Sequence, residues 1–406
     1  MAIAGLRGTG SADWATDERP KNFREMILWR QPNGQAPLTA LLSKVRSEST
    51  DDPEFVWYEE QMDALRLTVN YTTGYSTTDT SLVVTSNVTD ATDVVAGDLF
   101  LVDKPTSNGV TSAYANEIVA ASAAGAGGSI TITRGAQNTT ATPIPTNSTL
   151  TRIGSAFAEG TGAPTASTRN PTKFYNLCQI FKTTYEITRT ASKTKFRTGD
   201  PIKNDKKRKM FDHSVSMELA FLFGKRFETT GANGKPLRYT GGLLWFLSQY
   251  APSMITQFTT TPTETSFSDA LYKVFDYNSS AGDERIVLAG NGALNSLNRL
   301  ANSSARTRLN FDGVVKLFGM NLQRWILPQG TFYFKTHPLF NTHSRFTNDM
   351  FVCDPSVLKY RAFQDTTFKD NIQSPDADSQ KGQWLSEVGL EVEHAKTMAW
   401  LSNFVV

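Results

Sequence analysis

Between Asp205 and Glu228 the apolar residues recur at helical spacing, with Met210, Met217 and Phe221 on one stripe and Phe211, Val215, Leu219 and Leu222 on a second. The stretch has no proline, a single internal glycine at Gly224, and Asn204 just ahead of it as a good N-cap. A helix over 205–228 is predicted. Ala220, Phe223 and Phe227 fill much of the remaining circumference, so the second half of the helix is packed on several sides. Its first turn is different: Lys206, Lys207, Arg208 and Lys209 place four cations at the positive end of the helix dipole. That costs about a few tenths of a kcal/mol per charge. An acidic neighbour, another subunit or phosphate would offset it, and a solvated, screened basic turn is the bland alternative.

Ahead of this helix the pattern changes several times. Residues 1–18 are polar and contain glycine, and read as a flexible arm. Pro20 opens a short helix, NFREMILWR, made amphipathic by Phe23, Met26, Ile27 and Trp29 and stopped by Pro32-Asn33-Gly34. Pro37 opens a second, with Leu38, Leu41, Leu42 and Val45 at helical spacing. Two such short helices bury each other poorly, so both are expected to dock elsewhere, on a neighbouring subunit. Next, Asp51, Asp52, Glu54, Glu59, Glu60 and Asp63 surround a strand-forming core, Phe55-Val56-Trp57-Tyr58. An acidic, aromatic edge of this kind needs a cover, and the basic stretch 193–209 is its electrostatic complement.

From Arg66 to Ile153 the chain is rich in Thr, Ser, Gly and Ala and breaks into short alternating runs, among them SLVVTS, DLFLVD and SITITR. Strands at such spacing predict a small all-β unit, a barrel or sandwich. Flanking it, 54–62 and 173–190 read as strands that pair in one long hairpin. Beyond the helix come a glycine-punctuated turn region at 231–242, an apolar cluster at Leu243–Leu247, and helices at 266–277 and 292–301. A buried strand at Arg285–Ala289 and strands at Val314–Leu327 and Thr331–Thr336 follow. The last third alternates strands: MFVCD, VLKYRAFQD, GLEVEHAK and MAWLSNFVV. The class is α+β.

Charge sharpens this picture. The net charge of +2 makes no general polyanion binder, yet residues 1–160 hold 11 Lys and Arg against 18 Asp and Glu, while residues 161–228 hold 14 against 6. Cys178 and Cys353 are too few for a disulfide framework or a zinc site and read as small buried residues. The four histidines, His213, His337, His343 and His394, have no ligand spacing, and no nucleophile elbow or phosphate loop occurs. No catalytic, cofactor or metal residue is assigned. With neither a signal-peptide h-region nor an apolar span, the expectation is a protein made and assembled in the host cytoplasm, away from any membrane.

Taken in order, RPKNFREMILWRQPNGQAPLTALLSKV, EFVWYEE, AGDLFLV with EIVA and SITITRGA, RIGSAFAEG, QIFKTTYEITRTA, the helix followed by YTGGLLWF, MFVCD with VLKYRAF, and GLEVEHAKTMAWLSNF cover most of residues 19–404. In that collinear order the chain resembles a tailed-phage major capsid protein of the Hong Kong 97 fold, in the branch with a β-rich insertion in its extended loop. The resemblance implies an N-terminal arm at 1–53, extended-loop strands at 54–65 and 154–192, and an insertion domain at 66–153. It implies a peripheral domain at 193–239 and 346–406 with its spine helix at 205–228, and an axial domain at 240–345. It also implies hexamers and pentamers in an icosahedral virion shell around double-stranded DNA, which would touch the inner face non-specifically.

Inter-subunit contacts are expected at Asp51, Asp52, Glu54, Glu59 and Glu60, at Lys206, Lys207, Arg208 and Lys209, and at Phe23 and Trp29. Separate scaffolding, portal and cement proteins are expected as the other partners, and the fewer than 20 residues ahead of the first predicted helix are expected to leave no room for an internal scaffold. A binding module whose β unit recognises a carbohydrate, a receptor or a cement protein is the alternative function.

Overall fold

The computed structural model describes residue 38 and residues 47–60, 65–71, 74–84, 91–105, 111–164, 166, 170–196, 199–277, 279, 282–303, 311–317, 320–342 and 344–405. Phe23 and Trp29 lie outside the described residues. Contacts divide the chain into two compact units, Tyr58–Lys173 and the rest, Met1–Trp57 with Phe174–Val406.

Two strands precede the first unit, β1 (Ser47–Ser49) and β2 (Glu54–Glu59). Within the unit, β3 (Arg66–Thr68), β4 (Ser81–Val83), β5 (Asp98–Pro105), β6 (Thr111–Ala121), β7 (Ser129–Ala136) and β8 (Thr149–Ser155) form one sheet in the order β3-β8-β5-β6-β7-β4. Every neighbouring pair is antiparallel. The period-two alternation puts Leu67, Leu82, Phe100, Val102, Val119, Ile130, Ile132 and Leu150 into a single core. Just past the two edge strands, Val69 and Val84 form an antiparallel bridge and the Asn70 N–H donates to the Val83 carbonyl at 2.9 Å. The sheet therefore meets itself, and its edges are occupied. Among the charged residues sealed in this unit, Glu117 accepts from Arg134 at 2.7 and 3.0 Å and from the Thr142 N–H at 3.0 Å. Burial opposes ionisation of Glu117, but the hydrogen bonds from Arg134 and Thr142 outweigh it and hold the carboxyl below the usual range.

The larger unit resumes with β9 (Thr172–Leu177), β10 (Gln179–Thr188), α1 (Arg189–Lys193) and α2 (Pro201–Phe223). β11 (Phe227–Thr230), β12 (Pro236–Tyr239), α3 (Leu243–Tyr250), β13 (Ile255–Gln257), α4 (Glu264–Leu271), β14 (Glu284–Ala289) and α5 (Asn291–Ser303) follow. The remaining strands are β15 (Phe311–Leu317), β16 (Met320–Leu327), β17 (Gly330–Thr336), β18 (Met350–Cys353), β19 (Leu358–Lys369), β20 (Ser379–Val392) and β21 (Ala399–Ser402). They make a four-stranded sheet, β1-β19-β20-β10, and a seven-stranded sheet, β13-β21-β18-β14-β17-β16-β15. Two ribbons, β2-β9 and β11-β12, stand apart from both.

Helix α2 joins the two sheets into one core. His213 lies between the Thr183 hydroxyl at 3.1 Å and the Ser386 hydroxyl at 2.7 Å, and burial holds its ring below the usual histidine range. One turn on, the buried Glu218 accepts from the Leu38 N–H and pairs with His337 Nε2, both at 2.8 Å. Phe221 and Leu222 are wholly buried, and Phe223 stacks on Phe346 with ring centroids 4.5 Å apart. Full burial of each such side chain stabilises by about 1.5–3 kcal/mol.

The structure corrects four expectations. First, the long helix starts four residues before 205 and stops at Phe223, five short of 228. Its N-cap is Asp200, which accepts from the Ile202 N–H at 2.9 Å with Pro201 at the first helical position, so Asn204 lies inside the helix. At its other end Gly224 takes an extended conformation and lets the chain cross tightly, since the Gly242 N–H donates to the Gly224 carbonyl at 2.8 Å. A Cβ on Gly242 would meet the Ala220 carbonyl oxygen at 2.7 Å.

Second, 54–62 and 173–190 pair over only part of the predicted length. β2 pairs with β9 only, and the chain breaks at Cys178, whose N–H donates to the Pro53 carbonyl at 2.7 Å. β10 instead pairs with β20 along its length, from Gln179 opposite Val388 to Thr188 opposite Ser379, because Phe181, Tyr185 and Ile187 face the core. Third, the 345/346 boundary cuts through one sheet: β18 and β21 lie in the same seven strands as β14. Val314–Leu327 is likewise two antiparallel strands rather than one. Fourth, Leu38 and β1 are held by their own chain: Leu38 is buried, and β1 runs parallel to β19 with Ser47 opposite Tyr360, while the expected helices from Pro20 and Pro37 lie, Leu38 apart, outside the described residues.

Candidate inter-subunit surfaces

The acidic strand presents its charges outward. Thr50 Oγ donates to the Asp52 carbonyl at 2.8 Å and Asp52 Oδ1 accepts from the Glu54 N–H at 2.7 Å, a tight bend that leaves Asp51, Asp52 and Glu54 exposed. Along β2 the faces alternate: Phe55 and Trp57 are buried and stack 6.2 Å apart, while Val56, Tyr58 and Glu60 are exposed and Glu59 is half-buried. Trp57 also packs on Phe174 and Phe246, so the inner face of the strand is anchored and its outer face is free to meet a neighbour.

The expected cationic patch divides in two. Because α2 begins at Pro201, these residues lie in its second turn, past most of the dipole's reach. The Lys206 ammonium lies 3.5 Å from the centroid of the Phe368 ring and 5.9 Å from that of Trp384, and Trp384 Nε1 donates to the Lys206 carbonyl at 3.3 Å. Lys209 pairs with Asp212 at 3.4 Å. Lys206 therefore fastens α2 to the four-stranded sheet, a contact of about 0.5–1 kcal/mol. Lys207 and Arg208 remain exposed. No described ion pair joins Asp51, Asp52, Glu54 or Glu60 to any of these four cations within the chain.

Sequence reasoning missed a further surface. The ribbon β11-β12 was read only as a turn region, although FETT and PLRY flank a glycine- and asparagine-rich turn, which is a hairpin signal. Phe227 pairs with Tyr239 and Thr230 with Pro236, and the Gly231 N–H donates to the Lys235 carbonyl at 2.8 Å. Its base is rigid. The Arg226 guanidinium sits 3.6 Å from the Tyr175 ring centroid and 4.5 Å from that of Trp245, and donates to the Tyr175 carbonyl at 2.6 Å. Beside the ribbon runs an open groove of about 530 Å³ lined by Gln179, Ala220, Gly224, Phe227 and Tyr239.

Chemistry is sparse by comparison. Among the described residues no group of three or more His, Cys, Asp or Glu side chains could hold a metal ion. Both cysteines are free and buried. Burial, with a further push from Glu387, drives the Cys178 thiol up to about 12, and burial raises Cys353 as well, so neither is a nucleophile. No described helix is long and apolar enough to cross a membrane.

A family model described as the SU10 major capsid protein matches residues 7–404. The major capsid protein of Pseudomonas phage PaMx41 is 26% identical over 333 residues, which is 79% of this chain and 73% of that one. Among solved structures, a chain of Mycobacterium phage Cain is 9% identical, covering 95% of this chain and 92% of that one with a TM-score of 0.48. A chain from the capsid of a native GTA particle is 9% identical and covers 96% of each chain with a TM-score of 0.46. The family match runs through both compact units and both sheets, and the chain belongs to the SU10 major capsid protein family.

Proposed function

We propose that copies of this chain assemble into pentamers and hexamers and close into the icosahedral shell of a tailed phage, enclosing its double-stranded DNA. The observation that carries this reading is the family match over residues 7–404. The collinear order of segments supports a Hong Kong 97-type arrangement, with α2 as the spine of a peripheral part built on β1-β19-β20-β10 and an axial part built on the seven-stranded sheet. The role is structural. Assembly takes place in the host cytoplasm with separate scaffolding and portal proteins, DNA meets the inner face without sequence preference, and a cement protein is a further partner.

Between copies, the exposed acids Asp51, Asp52, Glu54 and Glu60 of one subunit, with the half-buried Glu59 beside them, face exposed cations of the next, of which Lys207 and Arg208 remain from the predicted patch. Such contacts set register more than affinity. Electron microscopy of the protein expressed alone, then with its scaffold and portal, tests the reading. Closed shells or rings of five and six are expected; a monomer under every condition would sink it.

A second reading, a binding module, is favoured by one feature, the closed sheet with its own core at 66–155. Deleting 66–153 separates the two: shells that still form but come from phage with reduced adsorption assign recognition to that unit.

A further inference from the structure

A two-stranded ribbon alone is marginal in water, and this one is exposed along nearly its whole length. Phe227 is 57% exposed, Leu237 43% and Tyr239 39%, and every other strand position except the half-buried Arg238 is exposed as well. Its rigid base means that this apolar ridge is held out rather than left to collapse. The ridge is rimmed by positive charge: Lys225 and Lys235 are exposed, and Arg238 pairs with Glu228 at 3.4 Å, the single carboxylate on the ribbon.

The acidic bend lies near the base of the ribbon. Cys178 N–H donates to the Pro53 carbonyl, and the next residue, Gln179, accepts from the Thr240 N–H at 3.1 Å through its side chain. Two consecutive residues thus hold Asp51, Asp52 and Glu54 beside one end of the basic ribbon, with Ile180, 51% exposed, next to them. From its base to its turn the ribbon therefore runs from the acidic bend, with Lys225 beside it, through the apolar ridge to Lys235. Such an order is self-complementary, since a two-fold rotation lays each acidic bend on Lys235 of a second copy and the apolar ridges on each other.

We infer that the β11-β12 ribbon is an isologous docking surface for a second copy of this chain. About a local two-fold, Phe227, Leu237 and Tyr239 cover their counterparts, while Asp51, Asp52 and Glu54 face Lys235 of the partner copy. The inference rests on the shell reading and gives the acidic bend a partner other than Lys207 and Arg208. An isologous contact brings a residue near the axis opposite its own copy, so a single new cysteine there links to itself. Cys178 and Cys353 are buried and do not compete.

The test begins with shells of Leu237→Cys under mild oxidation. Most of the protein is expected to run as covalent dimers on a non-reducing gel, at least tenfold above wild type, while Lys207→Cys shells stay monomeric; intact Leu237→Cys shells without dimers overturn the inference. The second arm reverses charge. Asp51→Lys, Asp52→Lys and Glu54→Lys together are expected to cut shell yield at least tenfold, and adding Lys235→Glu to restore it. Restoration by Lys207→Glu with Arg208→Glu instead overturns it. If the unaltered chain makes no shells with its scaffold and portal, the shell reading fails, which is a different result from either of these.

Discussion

The two compact units treat their edges in opposite ways. In the smaller one the sheet meets itself through Val69 and Val84, its core is continuous, and its buried carboxylate Glu117 finds every partner within the unit. The larger unit also has a buried core of its own but leaves a ribbon, an acidic bend and part of a cationic turn exposed. Self-sufficiency and unfinished surface thus belong to different segments of one chain. The difference separates what folds by itself from what waits for a neighbour.

The comparison is broken most directly by removing a core ring from each unit. Phe100→Ala and Phe221→Ala each replace a wholly buried side chain and are expected to cost about 3–5 kcal/mol. By hydrogen exchange, Phe100→Ala should lower protection within 58–173 and Phe221→Ala within the remainder; a uniform loss in either variant would show that the units are one cooperative body.

Next in size is the sealed ion pair. Glu117→Gln removes the charge that Arg134 answers and is expected to cost about 1.5–3 kcal/mol. Because the folded carboxyl is held below its usual range, its contribution is complete above the ordinary glutamate range and is lost as pH falls through the lowered value. Acid unfolding of the smaller unit followed by circular dichroism should therefore be less steep in Glu117→Gln.

Gly242→Ala forces a Cβ toward the Ala220 and Phe221 carbonyls, at 2.7 and 2.8 Å, and is expected to cost about 1–3 kcal/mol in urea titrations. The smallest effect sharpens the contrast. Phe227→Ser should change the stability of the isolated subunit by less than about 0.5 kcal/mol, since the ring is already in water, yet reduce shell yield.

How far the sequence reveals this depends on the range of the interactions. Alternation in SLVVTS and SITITR points to strands because it is local, and so does the Phe55 to Tyr58 run. The start of α2 was misplaced although Asp200-Pro201 is a good cap-and-proline pair, because Asn204 competes with it at shorter distance from the apolar stripe. Lys206 could not be told from Lys207, since the rings that hold it, Phe368 and Trp384, come more than 150 residues later. The split of 173–190 between two sheets falls at Cys178, whose hydrogen bond to the Pro53 carbonyl no periodicity records. The apolar ridge of the ribbon was passed over because Phe227 was counted as helical, on the far side of a glycine that ends the helix.

The parallel pairing of β1 with β19 also sets a timetable for synthesis. Ser47 has its strand partner at Tyr360, and the Leu38 N–H finds its carboxylate only with Glu218, whose own partner is His337. A ribosome has therefore made nearly nine-tenths of the 406 residues before the first strand has anywhere to go, whereas residues 58–173 can close as soon as they emerge. A nascent chain displays no complete subunit face, so assembly draws on finished chains.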